Sequence, residues 1–464
     1  MKTKIYLSTL LLAASSCLVP TNFSAQTIAA GNWASLTLCS GNTVKAMGNN
    51  NEGALGNGTF TSSSIPVSVS GLTGITTIAA GLYHSCAIKN DGTAWTWGNG
   101  YSGQFGNGNY GLSNIPVQVT GMTGASSIAG GGAHTVILKN DGTVWATGYN
   151  NDGQLGNGVT TITANIVQTN SLTGMIAVSA GRDNSLALKN DGTVWAWGKG
   201  NFGQMGDGSN ITKTSPVQVS SLTGIIAISA GGYHCLALKN DGTVWAWGYN
   251  QYGALGNGTT TASNVPVQVS SLTGITAIAA GGYYSVALKN DGTVWAWGVN
   301  YYGQFGNGTT SNSSVPLQAT SISGVAAIAT GWQHTLALKN DGTLWAFGLN
   351  GAGQFGNATS TNTNTSAQQS SGLCSLATGI NEITNSVNVS IYPNPSNGLL
   401  NVQLENHEAT SVEVINLLGE TIYSESILFQ NQTIDLQHLQ TGLYTLKISE
   451  KGKTVSNNKI IIQK

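Results

Sequence analysis

The chain has 464 residues, 63 of them Gly, and only 8% are charged, where a soluble domain averages about 25%. A net charge of -1 lacks the cationic excess that binding a phosphate backbone requires, which excludes nucleic acid as a partner. Five Cys exclude a disulfide-dense scaffold, and Gly without a Gly-X-Y period excludes collagen.

At the start, Lys2 and Lys4 precede a mostly apolar run from Ile5 to Val19. The run is too short for a bilayer span and suits a signal h-region, so residues 1–25 are expected to be an export signal cut near Ala25–Gln26. Phe23 fits that cleavage poorly; Cys17 as a lipid acceptor is the alternative, although Ala14 stands where a large aliphatic residue belongs. No later run approaches the roughly 18 apolar residues of a membrane span. Export exposes the thiols to an oxidising compartment. Cys86 and Cys235 occupy non-equivalent repeat positions and are not expected to pair; Cys39 and Cys374, at opposite ends of the repeats, either close a bond or stay buried as small hydrophobes. None has the CxxC spacing of a metal or redox site.

A period of 50 residues dominates the middle of the chain. Lys-Asn-Asp-Gly-Thr begins at Lys89, Lys139, Lys189, Lys239, Lys289 and Lys339, with a degenerate copy at Cys39. Its partner, of the form Gly-Gln-Phe-Gly-Asn-Gly, begins at Gly53, Gly103, Gly153, Gly203, Gly253, Gly303 and Gly353. Seven units fill residues 31–380 without insertion or deletion. Each reads as β: small and apolar residues alternate in Ala277–Leu288, Asn290-Asp291-Gly292 signals a tight turn, and Thr293-Val294-Trp295-Ala296-Trp297 is β-branched and aromatic. About four short strands per unit is the arithmetic of a propeller blade.

The run Ile328–Leu338, its counterpart Ile128–Leu138 and the Gly-Gln-Phe-Gly-Asn-Gly element resemble the signatures of the regulator of chromosome condensation repeat family. The resemblance covers residues 26–380 and implies a seven-bladed β-propeller. It also implies that a strand from one terminus often completes the last blade, a role open to Thr27–Gly31.

From Asn381 the composition changes: the propeller region is neutral overall, whereas residues 381–464 carry net -3. Alternating strands such as Leu400–Leu404, Ser411–Ile415 and Tyr444–Ile448 predict a small antiparallel β-sandwich, making the whole chain all-β. The opening Ile391–Gly398 (with Tyr392, Pro393, Asn394, Pro395 and Gly398), Val414–Gly419 ending on Gly419, and Leu439–Tyr444 (with Gly442 and Tyr444) are similar to the type A sorting domain of the type IX secretion system of Bacteroidetes. That resemblance implies Sec export, then passage of the outer membrane by the type IX machinery, leaving the product secreted or attached to the cell surface.

The repeat decides which polar groups are free to act. Six Lys and six Asp belong to the recurring turn, leaving Lys45, Arg182, Lys199 and Lys213 with Glu52, Asp152, Asp183 and Asp207. An acid/base pair for hydrolysis would have to come from Asp152, Asp183 and Asp207, but variable surface loops are the favoured account of them. His84, His134, His234 and His334 share one repeat position and read as structural hydrogen-bonding groups, so neither a catalytic residue, a metal site nor a cofactor is expected. Variation concentrates in loops that a propeller places on one face. There stand Trp33, Tyr83, Arg182, Asp183, Tyr233, Tyr283 and Trp332, with Tyr101, Phe202, Tyr252 and Tyr302 after the Trp-Gly strands. Aromatic residues beside Asn and Gly suit a protein interface and also stack on sugars. The expectation is a monomeric, non-catalytic binding propeller for a protein partner; a surface-glycan adhesin is the alternative, and a hydrolase using the repeat-three and repeat-four carboxylates ranks third.

Overall fold

Each 50-residue period folds into one four-stranded antiparallel sheet, seven in all, whose strands pair in chain order. The structure, a computed structural model, describes residues 28–372 and, of the tail, 389–394, 396–404, 411–415, 421–426, 431–440, 442–450 and 453–463. The expected export signal, Cys374, Pro395 and Gly419 lie outside the described residues. Cys39 is disulfide-bonded, whereas Cys86 and Cys235 are free and buried. The chain divides into two compact units between Gly379 and Ile380.

Blade 1 uses Ile28–Ala30, Ala34–Leu38, Val44–Gly48 and Ser63–Ser68; blade 7 uses Val325–Thr330, His334–Lys339, Leu344–Gly348 and Asn364–Gln369. This corrects one expectation. Ile28–Ala30 does not complete the last blade: it pairs with its own neighbour, Ile28 opposite Thr37. Blade 7 takes its outer strand from Asn364–Gln369. The Ile-Ala-Ala element is the innermost strand of a blade, so a copy ahead of the first Asp-Gly turn finds its own blade waiting and has nothing to lend. Blade 7 instead meets blade 1 side by side. Trp332 N donates to Gly31 O at 3.1 Å and Ala358 N to Ser64 O at 2.9 Å, while Ile28 and Met47 share a core with Leu336 and Phe355.

Sequence explains the layering. Innermost strands such as Ile275-Thr276-Ala277-Ile278-Ala279-Ala280 are built from small residues and surround a central channel of about 710 Å³. Second strands such as His334–Lys339 are buried except at the final Lys, with the polar His334 and Thr335 ahead of the apolar Leu336, Ala337 and Leu338. Third strands alternate: Trp95 is half-buried, whereas Trp97 is fully buried. In the connecting turn, Asp91 Oδ1 accepts from Thr93 N at 2.9 Å and Thr93 Oγ1 at 2.6 Å, with Gly92 at φ +76. The Lys-Asp pairs of this turn, such as Lys189–Asp191 at 3.0 Å, are solvent-exposed and contribute little.

Two polar side-chain contacts recur from blade to blade. In the first, the Gly-rich loop of one blade receives the buried Trp of the next: Trp297 Nε1 donates to Ala254 O at 2.8 Å, and a Cβ on Gly256 would lie 2.6 Å from that nitrogen. In the second, a buried His crosses the joint. His84 Nε2 lies 2.9 Å from Thr135 Oγ1, and that hydroxyl donates to Gln104 O at 2.8 Å. Because the hydroxyl proton is already committed, His84 Nε2 must carry the hydrogen and donate. His134–Ser185–Gln154 and His234–Ser285–Ala254 repeat the arrangement, and His334 reaches Ser35 of blade 1 at 3.0 Å. The Nδ1 atoms of these His have no partner, so protonation would bury an unpaired cation. Burial accordingly holds His84 and His234 down at about 4 and His134 and His334 at about 3.

The loops between first and second strands and between third and fourth strands lie on one face, linked by bonds such as Tyr249 N to Tyr233 O at 3.0 Å. The tail unit packs a three-stranded sheet (Val389–Tyr392, Leu399–Leu404, Asn431–Asp435) and a four-stranded sheet (Thr421–Glu425, Ser411–Ile415, Gly442–Glu450, Lys453–Ile462) on one core that includes Leu400, Val414, Ile434, Leu446 and Ile460.

The joint makes stability depend on pH. Unfolded His takes up a proton below about pH 6.5, while the folded His resists until about 4 or 3. Stability is therefore complete above pH 6.5 and is lost as pH falls below it, by up to about 1.4 kcal/mol per pH unit for each His. All 12 Trp lie between residues 33 and 345, so Trp fluorescence reports the propeller alone. Urea midpoints should fall steadily from pH 7 to pH 5, and His134→Ala should lower stability at pH 7 by about 1–3 kcal/mol while flattening that dependence.

Candidate functional site

The aromatic residues that vary between repeats converge in blades 4 to 7. Phe202 comes from the outer loop of blade 4, Tyr233 and Tyr252 from the two loops of blade 5, Tyr283 from blade 6 and Trp332 from blade 7. Tyr233 and Tyr283 stack, with centroids 4.7 Å apart and planes at 19°. Trp332 meets Tyr283 edge-on at 5.8 Å, and Tyr252 does so at 5.9 Å. Phe202 lies 6.0 Å from Tyr233, also edge-on. Two further residues belong to the cluster. Tyr301 contacts Tyr252 at 6.2 Å, and Tyr249 stands between Phe202, at 5.1 Å, and Tyr283, at 5.8 Å. Tyr249 escaped the sequence reading because it directly follows the Trp-Gly strand end. Its counterparts, Asn49, Asn99, Tyr149, Lys199, Val299 and Leu349, vary as widely as any loop position, and that variation was the available signal.

The polar sector adjoins these rings. The Arg182 guanidinium carbon lies 5.3 Å from the Tyr233 ring centroid, and Nη1 donates to the Tyr233 hydroxyl. Arg182 Nε pairs with Asp183 at 3.5 Å, and Lys199 bridges Asp183 at 3.6 Å and Asp152 at 3.9 Å. Burial pushes the Tyr249 and Tyr283 phenols above their usual range, with the Arg182 charge opposing at Tyr283, so both remain neutral donors at physiological pH. Asp207 is held in its own loop by Lys213 at 2.9 Å and by Ser209. Burial opposes its ionisation, but Lys213 and the Ser209 donors together keep the carboxyl below the usual range. The three carboxylates considered for hydrolysis are thus each engaged by a cation.

Seven of the expected site residues therefore form one patch: Arg182, Asp183, Phe202, Tyr233, Tyr252, Tyr283 and Trp332. The others stand apart. Trp33 and Tyr83 flank the joint of blades 1 and 2, Tyr101 is 66% exposed on blade 2, and Tyr302 is half-buried with its N bonded to Gln304 Oε1 at 2.9 Å. Among the described residues no group of His, Cys, Asp and Glu is arranged to hold a metal.

In the tail, Tyr392, Pro393 and Asn394 are exposed. Gly398 sits at φ +108, where a Cβ would lie 2.7 Å from Gln437 Cα; the Tyr444 ring covers Gly442, and its hydroxyl donates to Gln440 O at 2.9 Å. Gly398 and Tyr444 thus shape turns of the sandwich.

The fold and the one-sided patch define a seven-bladed β-propeller with a variable loop face. Comparison with family models matches residues 119–396 to the RCC1-like domain and residues 43–88, 91–138 and 75–104 to regulator of chromosome condensation (RCC1) repeats. The chain belongs to the RCC1-like domain family. Residues 390–463 match a secretion system C-terminal sorting domain, which marks the protein for type IX export to the cell surface or beyond. Among the described residues no helix is long and apolar enough to cross a membrane. Human WBSCR16 is 24% identical, with a TM-score of 0.64 over 71% of this chain and 95% of that one. Prp20p of Saccharomyces cerevisiae is 19% identical, with a TM-score of 0.62 over 74% of this chain and 87% of that one. These likenesses establish the fold. No curated protein matches the chain.

Tyr283→Ala should weaken near-ultraviolet circular dichroism by removing four ring contacts, yet move the urea stability by less than about 1 kcal/mol, because the ring is half-exposed. Gly398→Ala should reduce the amount of protein reaching the culture fluid or cell surface, measured by immunoblot, without altering the unfolding of the propeller followed by Trp fluorescence.

Proposed function

We propose that this is a non-catalytic, exported binding propeller whose partner is a protein. The observation that carries the reading is the continuous patch from Phe202 through Tyr233, Tyr249, Tyr252 and Tyr283 to Trp332, bordered by Arg182 and Asp183. Tyr, Trp and Arg concentrated beside one another on a rigid frame is the composition of interface hot spots. Two details favour protein over glycan. A sugar ring stacks on an open aromatic face, whereas the Tyr233 and Tyr283 faces lie against each other and most of the other ring contacts are edge-on. The Tyr hydroxyls and the Arg182 fork then serve as directional groups at the edge of an apolar surface. Engagement of Asp152, Asp183 and Asp207 by cations supports the non-catalytic reading, since a general acid needs a carboxyl that stays protonated.

Among relatives of the same fold, yeast Prp20p has binding properties to Gsp1p and histones, and yeast RCC1 (Prp20) is seen bound to Kap60. Those partners belong to that protein. An exported chain meets none of them, so the shared element is a propeller used to hold proteins.

The full-length protein, immobilised and exposed to native culture fluid and cell-surface extract, should capture a defined protein. Tyr252→Ala with Tyr283→Ala should weaken that complex by about 2 kcal/mol or more, roughly 30-fold, in a titration against the captured partner. Glycan binding lost in the same double variant, with no protein captured, would replace this reading with adhesion.

A further inference from the structure

The joint between blades 1 and 2 lacks the side chain that fills the other joints. Where the other blades have His84, His134, Asn184, His234, Tyr284 and His334, blade 1 has Ala34. A Cβ built on the Gly three residues before that position meets a ring atom at 2.4 Å in blade 2, 2.1 Å in blade 6 and 2.2 Å in blade 7. At Gly31 it meets no ring, and the nearest side-chain atom is Ala80 Cβ at 3.5 Å. Ser85 Oγ still donates to Ala54 O at 2.9 Å, as its counterparts do, but no His nitrogen donates to it in return. What remains is a crevice of about 30 Å³ lined by Ala34, Ser85, Asn49, Glu52, Trp33 and Tyr83.

Glu52 is unusual among the carboxylates of the propeller. Asp141, Asp152, Asp183, Asp191, Asp207, Asp241, Asp291 and Asp341 each have a Lys or Arg within 4 Å. Asp91 is exposed and lies in the field of Lys89. Among the described residues Glu52 has no cationic partner. Burial raises its pKa, and the Asn99 side chain is the group that favours its charged form. Beside it stand two rings, Trp33 at 46% and Tyr83 at 42% exposure, whose faces attract cations. The crevice thus offers a carboxylate, a hydroxyl oxygen without its donor and two π faces.

We propose that this crevice binds a primary alkylammonium group, with Glu52 as counter-ion, Ser85 Oγ as an acceptor, and Trp33 and Tyr83 beside the entrance. Its volume accommodates about two water-sized spheres, enough for an ammonium head and its first methylene but not for a trimethylammonium. The ammonium comes either from a free amine or from a lysine side chain on a protein. The site is separate from the aromatic patch of blades 4 to 7, so the two readings stand or fall independently.

The test titrates the full-length protein with n-butylammonium chloride, reading the Trp33 indole resonance, assigned by its loss in Trp33→Phe. Saturable binding with Kd of about 1–10 mM is expected, and tetramethylammonium at matched ionic strength should not bind. Glu52→Gln should weaken butylammonium at least about tenfold. Ala34→His should also abolish binding, by refilling the joint, while leaving the urea midpoint equal or higher; that variant separates lost binding from lost folding. A lysine-containing peptide that binds more tightly than butylammonium identifies a protein as the source, and equal binding identifies a free amine. Absence of saturable butylammonium binding, or equal binding by Glu52→Gln, overturns the proposal.

Discussion

Each blade is held by the next through groups that are buried and polar, and the rest of the ring depends on their being satisfied. The His imidazole donates across the joint to a Ser or Thr hydroxyl, which passes its proton to a carbonyl of the blade it came from; beside it, the Trp indole donates to a carbonyl in the same loop. A buried donor left unpaired costs about 1–3 kcal/mol, so each contact works as both an attraction and a registration mark. A blade shifted by one residue would strand all of these groups at once. This is why the Gly-rich loop, the Trp-Gly strand and the Gly before the His recur together: they are one contact seen from its two sides.

The same frame explains the low charge. Most charged side chains in the propeller sit in exposed turns or in the single sector around Arg182 and Lys199. The joints are built instead from neutral donors and acceptors, whose geometry is demanding but whose desolvation is far cheaper than that of ions. A ring held in this way tolerates variation in its loops, because Tyr233 and Tyr283 each directly precede a joint position while their own rings lie outside the buried hydrogen bonds across it.

The architecture was legible in the sequence because the period is exact in length and every strand carries its own signature. Three things were not. The phase of the first unit was ambiguous, since Ile28–Ala30 reads equally as a lent strand or as a blade's own innermost strand, and only its pairing with Ala34–Leu38 distinguishes them. The grouping of the aromatic residues was hidden as well: Phe202 and Tyr233, or Tyr283 and Trp332, come from different repeats and meet only because adjacent blades bring their loops together. Finally, Asp152 and Asp183 looked like free carboxylates because sequence separation conceals that Lys199 bridges them across blades 3 and 4.

Each blade is a contiguous segment of chain, and among the described residues no strand is exchanged between the first and the last. Every wedge therefore carries both halves of its locking surface, and any wedge presents its neighbours with much the same pair of edges. Duplication or loss of one whole period in the gene would leave every remaining edge with a matching counterpart. Such a ring is open to change by recombination in whole blades, each bringing new loops to the face that meets the outside world.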